Sequence, residues 1–311
     1  MKRNLRTMAL LGGAVVLSAC AGFDENVRSY GVLQAPVELE RTAFYPQERY
    51  QCGPAALATV LDASGADVEL EALTGQVYLP GRQGSLQVEL LAAARAHERV
   101  PYVIDGTLSA VVAELDAGRP VLVLQNLGVD WFPQWHYAVI VGVDPLTDRI
   151  ILRSGTERRR VTPTRTFLHT WRRGGFWAMV VLPPGEIPAL PDKVRYFESV
   201  AAVEATGHLE SAYAAWQAGV DRWPGDATAL FGQASAAYEL GHYAEAEAVY
   251  RQLLSTQPDL HPARNNLAYV LLAQGRKAEA LAEIRWILAR IADGDRNREI
   301  YEDSYRDIAG Q

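Results

Sequence analysis

Long apolar segments, an excess of positive charge and clustered metal ligands are all missing from this sequence of 311 residues. The formal charge of −7 does not suggest a nucleic-acid partner. The apolar stretch Met8 to Leu17 is too short to cross roughly 30 Å of bilayer hydrocarbon. No spacing of His, Cys and Asp suggests a metal site, and no phosphate-binding loop is present. We therefore expect no cofactor and no metal.

The N-terminus has the features of a secretory signal. Lys2, Arg3 and Arg6 form a positively charged start, the short apolar stretch follows, and small residues precede Cys20. A buried N-terminal strand would not explain the basic start or the small residues before a cysteine. We interpret residues 1–19 as a signal peptide that is removed from the mature protein.

The residues around Cys20 add a second feature. Leu17-Ser18-Ala19-Cys20 resembles the lipobox of bacterial lipoproteins. The resemblance implies cleavage before Cys20 and acylation of its thiol, and several acyl chains on one residue would anchor the protein stably. No Asp follows Cys20, so the signal for inner-membrane retention of such lipoproteins is missing. We expect an outer-membrane lipoprotein facing the periplasm, with residues 20–42 as a lipidated tether.

Cysteine is scarce, and this makes Cys52 informative. The sequence has two cysteines. If Cys20 carries lipid, Cys52 is a lone thiol in an oxidising compartment, where it would either form an intermolecular disulfide or be reactive.

The length predicts two folded domains, and the pattern changes at a proline-rich segment. Before it, helical and strand patterns mix, with a helix cluster followed by antiparallel strands, which predicts an α+β domain over residues 43–183. The expected helices are 55–63, 86–97 and 108–115, and the expected strands are 120–124, 137–143, 149–152 and 176–182. Residues 184–192 hold three prolines and are predicted to be a linker.

After the linker, residues 193–311 repeat with a period of 34. Gly207, Gly241 and Gly275 share this spacing, and so do Ala212, Ala246 and Ala280. Gly allows a turn between paired helices, and Ala allows two helices to approach closely. The pattern resembles the tetratricopeptide repeat. It predicts an all-α solenoid of about three repeats, with residues 295–309 as a capping helix, and a protein partner for this region.

Cys52 precedes Gly53-Pro54 and a helical pattern, so its sulfur is expected at a helix N-terminus. Pro is favoured in the first helical turn, and the helix dipole stabilises a thiolate at that end. A buried structural cysteine at a helix start is the alternative. A reactive thiol needs a base, and His136 is the best placed of the six histidines, because it stands at the head of a buried strand after an aromatic loop.

These residues carry a resemblance to a known family. Gln47, then Cys52-Gly53-Pro54-Ala55, then His136-Tyr137-Ala-Val-Ile-Val-Gly142 are similar to the bacteriocin-processing, double-glycine-leader family of papain-like cysteine peptidases, peptidase family 39. The resemblance implies that Cys52 attacks a peptide carbonyl, that His136 transfers the proton, and that Gln47 donates a hydrogen bond to the oxyanion.

One position departs from the family pattern. The family has a catalytic Asp after the histidine strand, within a Leu-x-Asp-Pro type segment. Here the corresponding residues are Ile151-Leu152-Arg153-Ser154-Gly155, with Ser154 where the Asp is expected. Ser154 or Asp144 would be the third member. Two functions therefore stay open: an active peptidase that cleaves a polypeptide, with repeats that recruit substrate or a partner, or an inactive peptidase-like domain that binds peptides and acts as a scaffold.

Overall fold

The computed structural model describes residues 35–47 and 51–310. The predicted signal peptide and the predicted lipidation site at Cys20 lie outside this range. The described chain forms an antiparallel sheet covered by helices, followed by an all-helical region. The predicted fold class, an α+β peptidase-like domain followed by a repeat solenoid, is confirmed.

The described residues form a sheet of seven strands: β1 (Val37–Glu38), β2 (Val100–Val103), β3 (Val121–Asn126), β4 (Trp135–Asp144), β5 (Arg149–Ser154), β6 (Glu157–Pro163) and β7 (Ala178–Leu182). Their order is β2-β7-β3-β4-β5-β6, and β1 pairs with β4. Every pairing among them is antiparallel.

The strands β3, β4 and β7 are buried on both sheet faces, so their sequences are almost continuously apolar. Side chains alternate between the faces. Val139 and Val141 of β4 pack on the first helices, whereas Ala138 and Ile140 belong to the opposite core. This alternation decides which face each residue near the start of β4 presents.

Within the described part of the chain, five α-helices belong to the sheet domain: α1 (Cys52–Ala63), α2 (Leu70–Val77), α3 (Gln87–Ala96), α4 (Leu108–Asp116) and α5 (Thr164–Arg173). The helices α1, α2 and α3 cover one face of the sheet. The helices α4 and α5 cover the other, together with the start of the helical region. The domain therefore has three layers, with the sheet in the middle.

The helical region consists of paired helices: α6 (Lys193–Glu204), α7 (Leu209–Arg222), α8 (Ala227–Glu239), α9 (Tyr243–Thr256), α10 (His261–Ala273), α11 (Lys277–Leu288) and α12 (Arg298–Gly310). The turns inside the three pairs hold Gly207, Gly241 and Gly275, each with φ between 76° and 85°, a conformation that favours glycine. Trp216 packs so closely on Gly232 of the next pair that a Cβ there would lie 2.4 Å from the indole. The 34-residue period thus reflects helix pairs that stack.

The proline-rich segment is fixed to the sheet domain by hydrogen bonds. The backbone N–H of Ala189 donates to the buried carboxylate of Glu114 at 2.7 Å, and that of Asp192 donates to the hydroxyl of Tyr102 at 2.9 Å. In addition, Tyr196 and other residues of α6 share one core with β2, β3 and β7. The repeats therefore continue the packing of the sheet domain.

Candidate active site

Cys52 is the first residue of α1, and its side chain is partly buried. Burial raises the pKa of the Cys52 thiol above its ordinary value, and the backbone N–H groups of Tyr137, Gly53 and Cys52 only partly oppose this effect. The direction of this pKa shift favours the protonated thiol. Its position at a helix N-terminus agrees with the sequence analysis, but the direction of the pKa differs from that expected for a stabilised thiolate.

The contact with Tyr137 joins the start of α1 to the start of β4, one residue after His136. Tyr137 packs with α1, whereas His136 follows the opposite parity along β4. The thiol therefore lies beside the peptide unit 136–137, at the start of the strand that bears His136. The structure brings together the two residues that the sequence singles out, as neighbours around one strand end.

The imidazole of His136 is held by Ser154. The His136 Nε2 atom lies 2.8 Å from the Ser154 Oγ atom, and Ser154 is only 2% exposed. Burial, together with the smaller effect of the positive charge of Arg160, lowers the pKa of His136 to about 4. His136 is thus neutral at pH 7. With Nε2 bonded to Ser154, Nδ1 is the ring nitrogen left for proton exchange.

Asp144 lies elsewhere, in the turn between β4 and β5. Its carboxylate accepts hydrogen bonds from the backbone N–H groups of Leu146 and Thr147, at 2.9 and 3.2 Å, and from the Thr147 hydroxyl at 2.6 Å. These bonds lower the pKa of Asp144, the Thr147 hydroxyl most strongly. Of the two residues considered for the third position, the structure brings Ser154 to His136 and leaves Asp144 as a turn residue.

Gln47 lies next to the turn that follows Ser154. Its backbone N–H donates to the carbonyl of Gly155 at 3.1 Å. The preceding segment is held by Arg153, whose guanidinium donates to the carbonyls of Glu40 and Thr42. The role of the Gln47 amide towards an oxyanion stays a prediction.

A groove of about 1,100 Å³ opens beside Cys52. Cys52, Leu124 and Tyr137 line it together with three loop segments, 82–87, 132–135 and 173–175. Among the described residues, His136 and Gln47 are not part of this lining. A polypeptide bound in the groove would therefore meet the sulfur on the face of β4 that Tyr137 presents.

Ser85 is a groove residue that the sequence analysis did not identify. Its hydroxyl is buried without a hydrogen-bond partner, and its carbonyl accepts a hydrogen bond from the Tyr137 hydroxyl at 3.3 Å. A Cβ on Gly53 would lie 2.4 Å from the Ser85 Oγ atom. The glycine after the cysteine therefore lets the 82–87 loop close against the start of α1. In the sequence, the signal for a close neighbour of α1 is Gly53 itself, and nothing in the sequence identifies that neighbour as Ser85.

Two further observations concern the part of the chain that the structure describes. Its helices are all too short or too polar to cross a bilayer. Within the same part, His, Cys, Asp and Glu side chains form no group of three or more that could hold a metal ion.

The comparisons with known proteins agree with this architecture. The family described as "Peptidase_C39 like family" matches residues 39–179, and a tetratricopeptide-repeat family matches residues 202–261 and 233–295. The chain has an α+β sheet domain similar to C39-like peptidases, followed by a helical region similar to tetratricopeptide repeats, as predicted from the sequence. The more specific prediction of a bacteriocin-processing type stays a prediction.

Several solved structures are distantly similar. A putative C39-like peptidase from Bacillus anthracis is 16% identical, with a TM-score of 0.41, and the match covers 48% of this chain and 98% of that chain. The peptidase domain of Streptococcus ComA, a bi-functional ABC transporter, is 20% identical, with a TM-score of 0.38, and the match covers 46% of this chain and 99% of that chain. The type III secretion chaperone SycD from Yersinia enterocolitica is 18% identical, with a TM-score of 0.36, and the match covers 38% of this chain and 81% of that chain. A comparison with curated proteins found no match.

Proposed function

We propose that the protein is a cysteine peptidase in which Cys52 attacks a peptide carbonyl. The observation that carries the proposal is a thiol at the start of a buried helix, open to a groove and in contact with the strand that bears the His136–Ser154 pair. His136 accepts the thiol proton as the sulfur attacks, and then gives it to the leaving amine. Water hydrolyses the acyl-enzyme. Gln47 is the proposed oxyanion donor.

Because burial disfavours both the thiolate and the imidazolium, the resting pair is uncharged. His136 therefore acts as a general base during attack rather than as the partner of a preformed thiolate. Its pKa of about 4 keeps it neutral above about pH 5. We expect kcat/KM to rise with pH through about 4 and to be flat near neutrality.

A peptide-binding scaffold without catalysis is the second candidate. Two observations favour it: Ser154 carries no charge to stabilise an imidazolium, and the thiol pKa is raised rather than lowered. In this case the groove would hold a polypeptide that leaves uncleaved. The two functions differ in turnover and not in binding.

The test uses the chain from residue 20 with Cys20→Ser, and fluorescein-labelled casein that has been reduced and unfolded. If Cys52 and His136 are catalytic, Cys52→Ala abolishes hydrolysis and His136→Ala lowers it by about 10²- to 10⁴-fold. His169→Ala is the matched control, because His169 is a partly buried histidine on α5 that is not among the residues lining the groove. Binding of casein without cleavage, equal in all four proteins, would establish the scaffold instead.

We further propose that the mature protein is anchored in the cell envelope through lipid on Cys20, at the outer membrane and facing the periplasm. The support is the Leu17-Ser18-Ala19-Cys20 sequence. Metabolic labelling with a radioactive fatty acid, followed by membrane fractionation, tests this proposal. We expect label on the intact chain and none on Cys20→Ala. Equal label on both would exclude acylation at this residue.

The repeats are proposed to recruit the polypeptide substrate or a protein partner. Stacked helix pairs form extended surfaces that suit peptide binding, and they are packed directly on the sheet domain. Cross-linking in cells would test this proposal. A protein that is cross-linked to the intact chain, and not to a chain with substitutions at exposed repeat residues, would be identified as the partner.

A further inference from the structure

Large apolar side chains are exposed on the loop between β3 and β4, here called the aromatic loop, residues 127–135. The exposed fractions are 85% for Trp131, 68% for Phe132 and 57% for Trp135. Leu127 and Val129 are also more than 40% exposed. A cluster of exposed aromatic side chains on a protein surface is typical of a binding site.

The aromatic loop is fixed by its own hydrogen bonds. Its residues Val129 and Phe132 exchange two backbone hydrogen bonds, at 3.2 and 3.0 Å. The Asn126 side-chain oxygen accepts from the N–H groups of Gly128 and Gln134, at 3.0 and 2.9 Å. A Cβ on Gly128 would lie 2.3 Å from the Phe132 carbonyl oxygen. The rings are therefore presented in a set geometry, which lowers the entropy cost of binding.

The loop is continuous with the groove beside Cys52. Phe132 and Trp135 belong both to the exposed apolar surface and to the groove lining. A polypeptide that passes Cys52 and leaves the groove on this side would therefore meet the exposed rings. The apolar surface extends the groove wall outwards from the sulfur.

The charge of the loop helps to identify its occupant. Residues 127–135 hold one acidic residue, Asp130, and no Lys or Arg. A loop that docks on an anionic lipid surface usually combines aromatic and basic residues. Here an acidic residue stands beside the most exposed ring, which disfavours such a surface. An extended polypeptide with a bulky apolar side chain fits both the rings and the neighbouring groove.

We infer that the aromatic loop is the specificity element of the groove, and that it binds a large apolar side chain of an extended polypeptide near the bond presented to Cys52. This inference rests on the proposed function insofar as it places a peptide bond at Cys52. Binding of the polypeptide by the loop does not itself require catalysis. Trp131 and Phe132 supply the apolar contact, and Trp135 carries the surface into the groove.

The test measures binding to Cys52→Ala, so that cleavage plays no part. The probes are two fluorescein-labelled 12-residue peptides of Gly and Ser, one of which carries two adjacent Phe residues at its centre. Trp131→Ser/Phe132→Ser is the test variant. Leu146→Ser is the matched control, because Leu146 is 75% exposed at the opposite end of β4. Thermal melting followed by circular dichroism establishes that both variants fold.

We expect the Phe peptide to bind the unsubstituted loop and the Leu146→Ser control equally. We expect the loop variant to bind it at least about tenfold more weakly. The all-Gly/Ser peptide should bind weakly to all three proteins. If the Phe peptide binds all three equally, the inference is wrong.

Two further outcomes would overturn the inference in favour of another occupant. One is binding to vesicles of phosphatidylethanolamine and phosphatidylglycerol that only the loop variant loses. The other is a dimer, seen by analytical ultracentrifugation, that only the loop variant dissociates. Failure of the proposed peptidase function would be seen separately, as absence of casein hydrolysis while the Phe peptide still binds.

Discussion

At the scale of single residues, the site is defined by two ionisable side chains that are both kept neutral. Burial raises the pKa of the Cys52 thiol and lowers the pKa of His136 to about 4. Each shift disfavours the charged form of its own group, so neither residue supplies the charge that would stabilise the other. Activation of the thiol must therefore accompany substrate attack.

This leads to a prediction about the reactivity of Cys52. Since burial raises the pKa of the folded thiol, we expect the rate of its labelling by iodoacetamide to rise at higher pH than in the unfolded chain. The same chain unfolded in urea should titrate at about pH 8.5. A second region of high reactivity between pH 5 and 8, lost in His136→Ala, would contradict an uncharged resting pair and show a thiolate–imidazolium pair.

Ser154 gives a second prediction at this scale. In Ser154→Asp, a carboxylate would stand beside His136 Nε2, and its negative charge would raise the pKa of the imidazole. Because the imidazolium is then stabilised as the thiol loses its proton, we expect casein hydrolysis at pH 7 to increase at least about tenfold. The acid limb of kcat/KM should move to higher pH.

The matched control for this prediction is Ser154→Asn, which has the size of Asp without its charge. It also allows for the cost of enlarging a residue that is only 2% exposed. We expect Ser154→Asn to be no faster than the unsubstituted protein. Equal rates for the Asn and Asp variants would show that charge at this position does not limit the reaction.

At the scale of elements, the site depends on how closely the 82–87 loop packs on the start of α1. Gly53→Ala would place its Cβ 2.4 Å from the Ser85 Oγ atom and 2.6 Å from the Ser85 Cβ atom. We expect the free energy of unfolding to fall by about 1–3 kcal/mol, measured by urea denaturation.

Ser85→Gly removes both clashing atoms, so it serves as the partner in a double-mutant cycle. If the contact causes the loss, the double variant should recover most of the stability lost in Gly53→Ala. Strictly additive effects of the two substitutions would exclude the clash.

Sequence patterns predicted elements well where their side chains are apolar on a clear period. The strand at 137–143 and the helix at 108–115 differ from the observed β4 and α4 by no more than two residues at either end. The sequence analysis did not identify β6, because three arginines face outwards on this edge strand and hide its alternation. It also did not predict α5, although Phe167, Leu168 and Trp171 lie at helical spacing.

The candidate site was partly predictable for a similar reason. Cys52 and His136 stand next to strong local patterns, a helix start and a buried strand. Ser154 needed the family resemblance, because nothing near it in the sequence marks it as a partner of a histidine 18 residues away. The groove loops could not be predicted, because loops from distant parts of the chain meet there only through the sheet topology.

At the scale of the whole molecule, the two regions share a core. Phe197 of α6 is 6% exposed and packs against Trp216 in a tilted and Trp223 in an edge-on arrangement, with ring centroids 5.5 and 5.2 Å apart. The same buried cluster includes Tyr102 of β2 and Val123 of β3. A separate cluster holds the later repeats. Packing therefore couples the first repeat to the sheet more directly than to the last repeat.

The last prediction tests this coupling by hydrogen exchange. The substitution Phe197→Ala removes a large buried side chain and should lower the free energy of unfolding by about 3–5 kcal/mol. Because α6 and the sheet share one core, we expect the free energy of opening measured at amides of β3 to fall along with that of α6.

Leu267→Ala is the matched control, since Leu267 is 1% exposed in the second cluster. It should weaken protection in α10 and leave β3 nearly unchanged. If protection in β3 is the same in the unsubstituted and Phe197→Ala proteins, the shared core contributes nothing to the stability of the sheet.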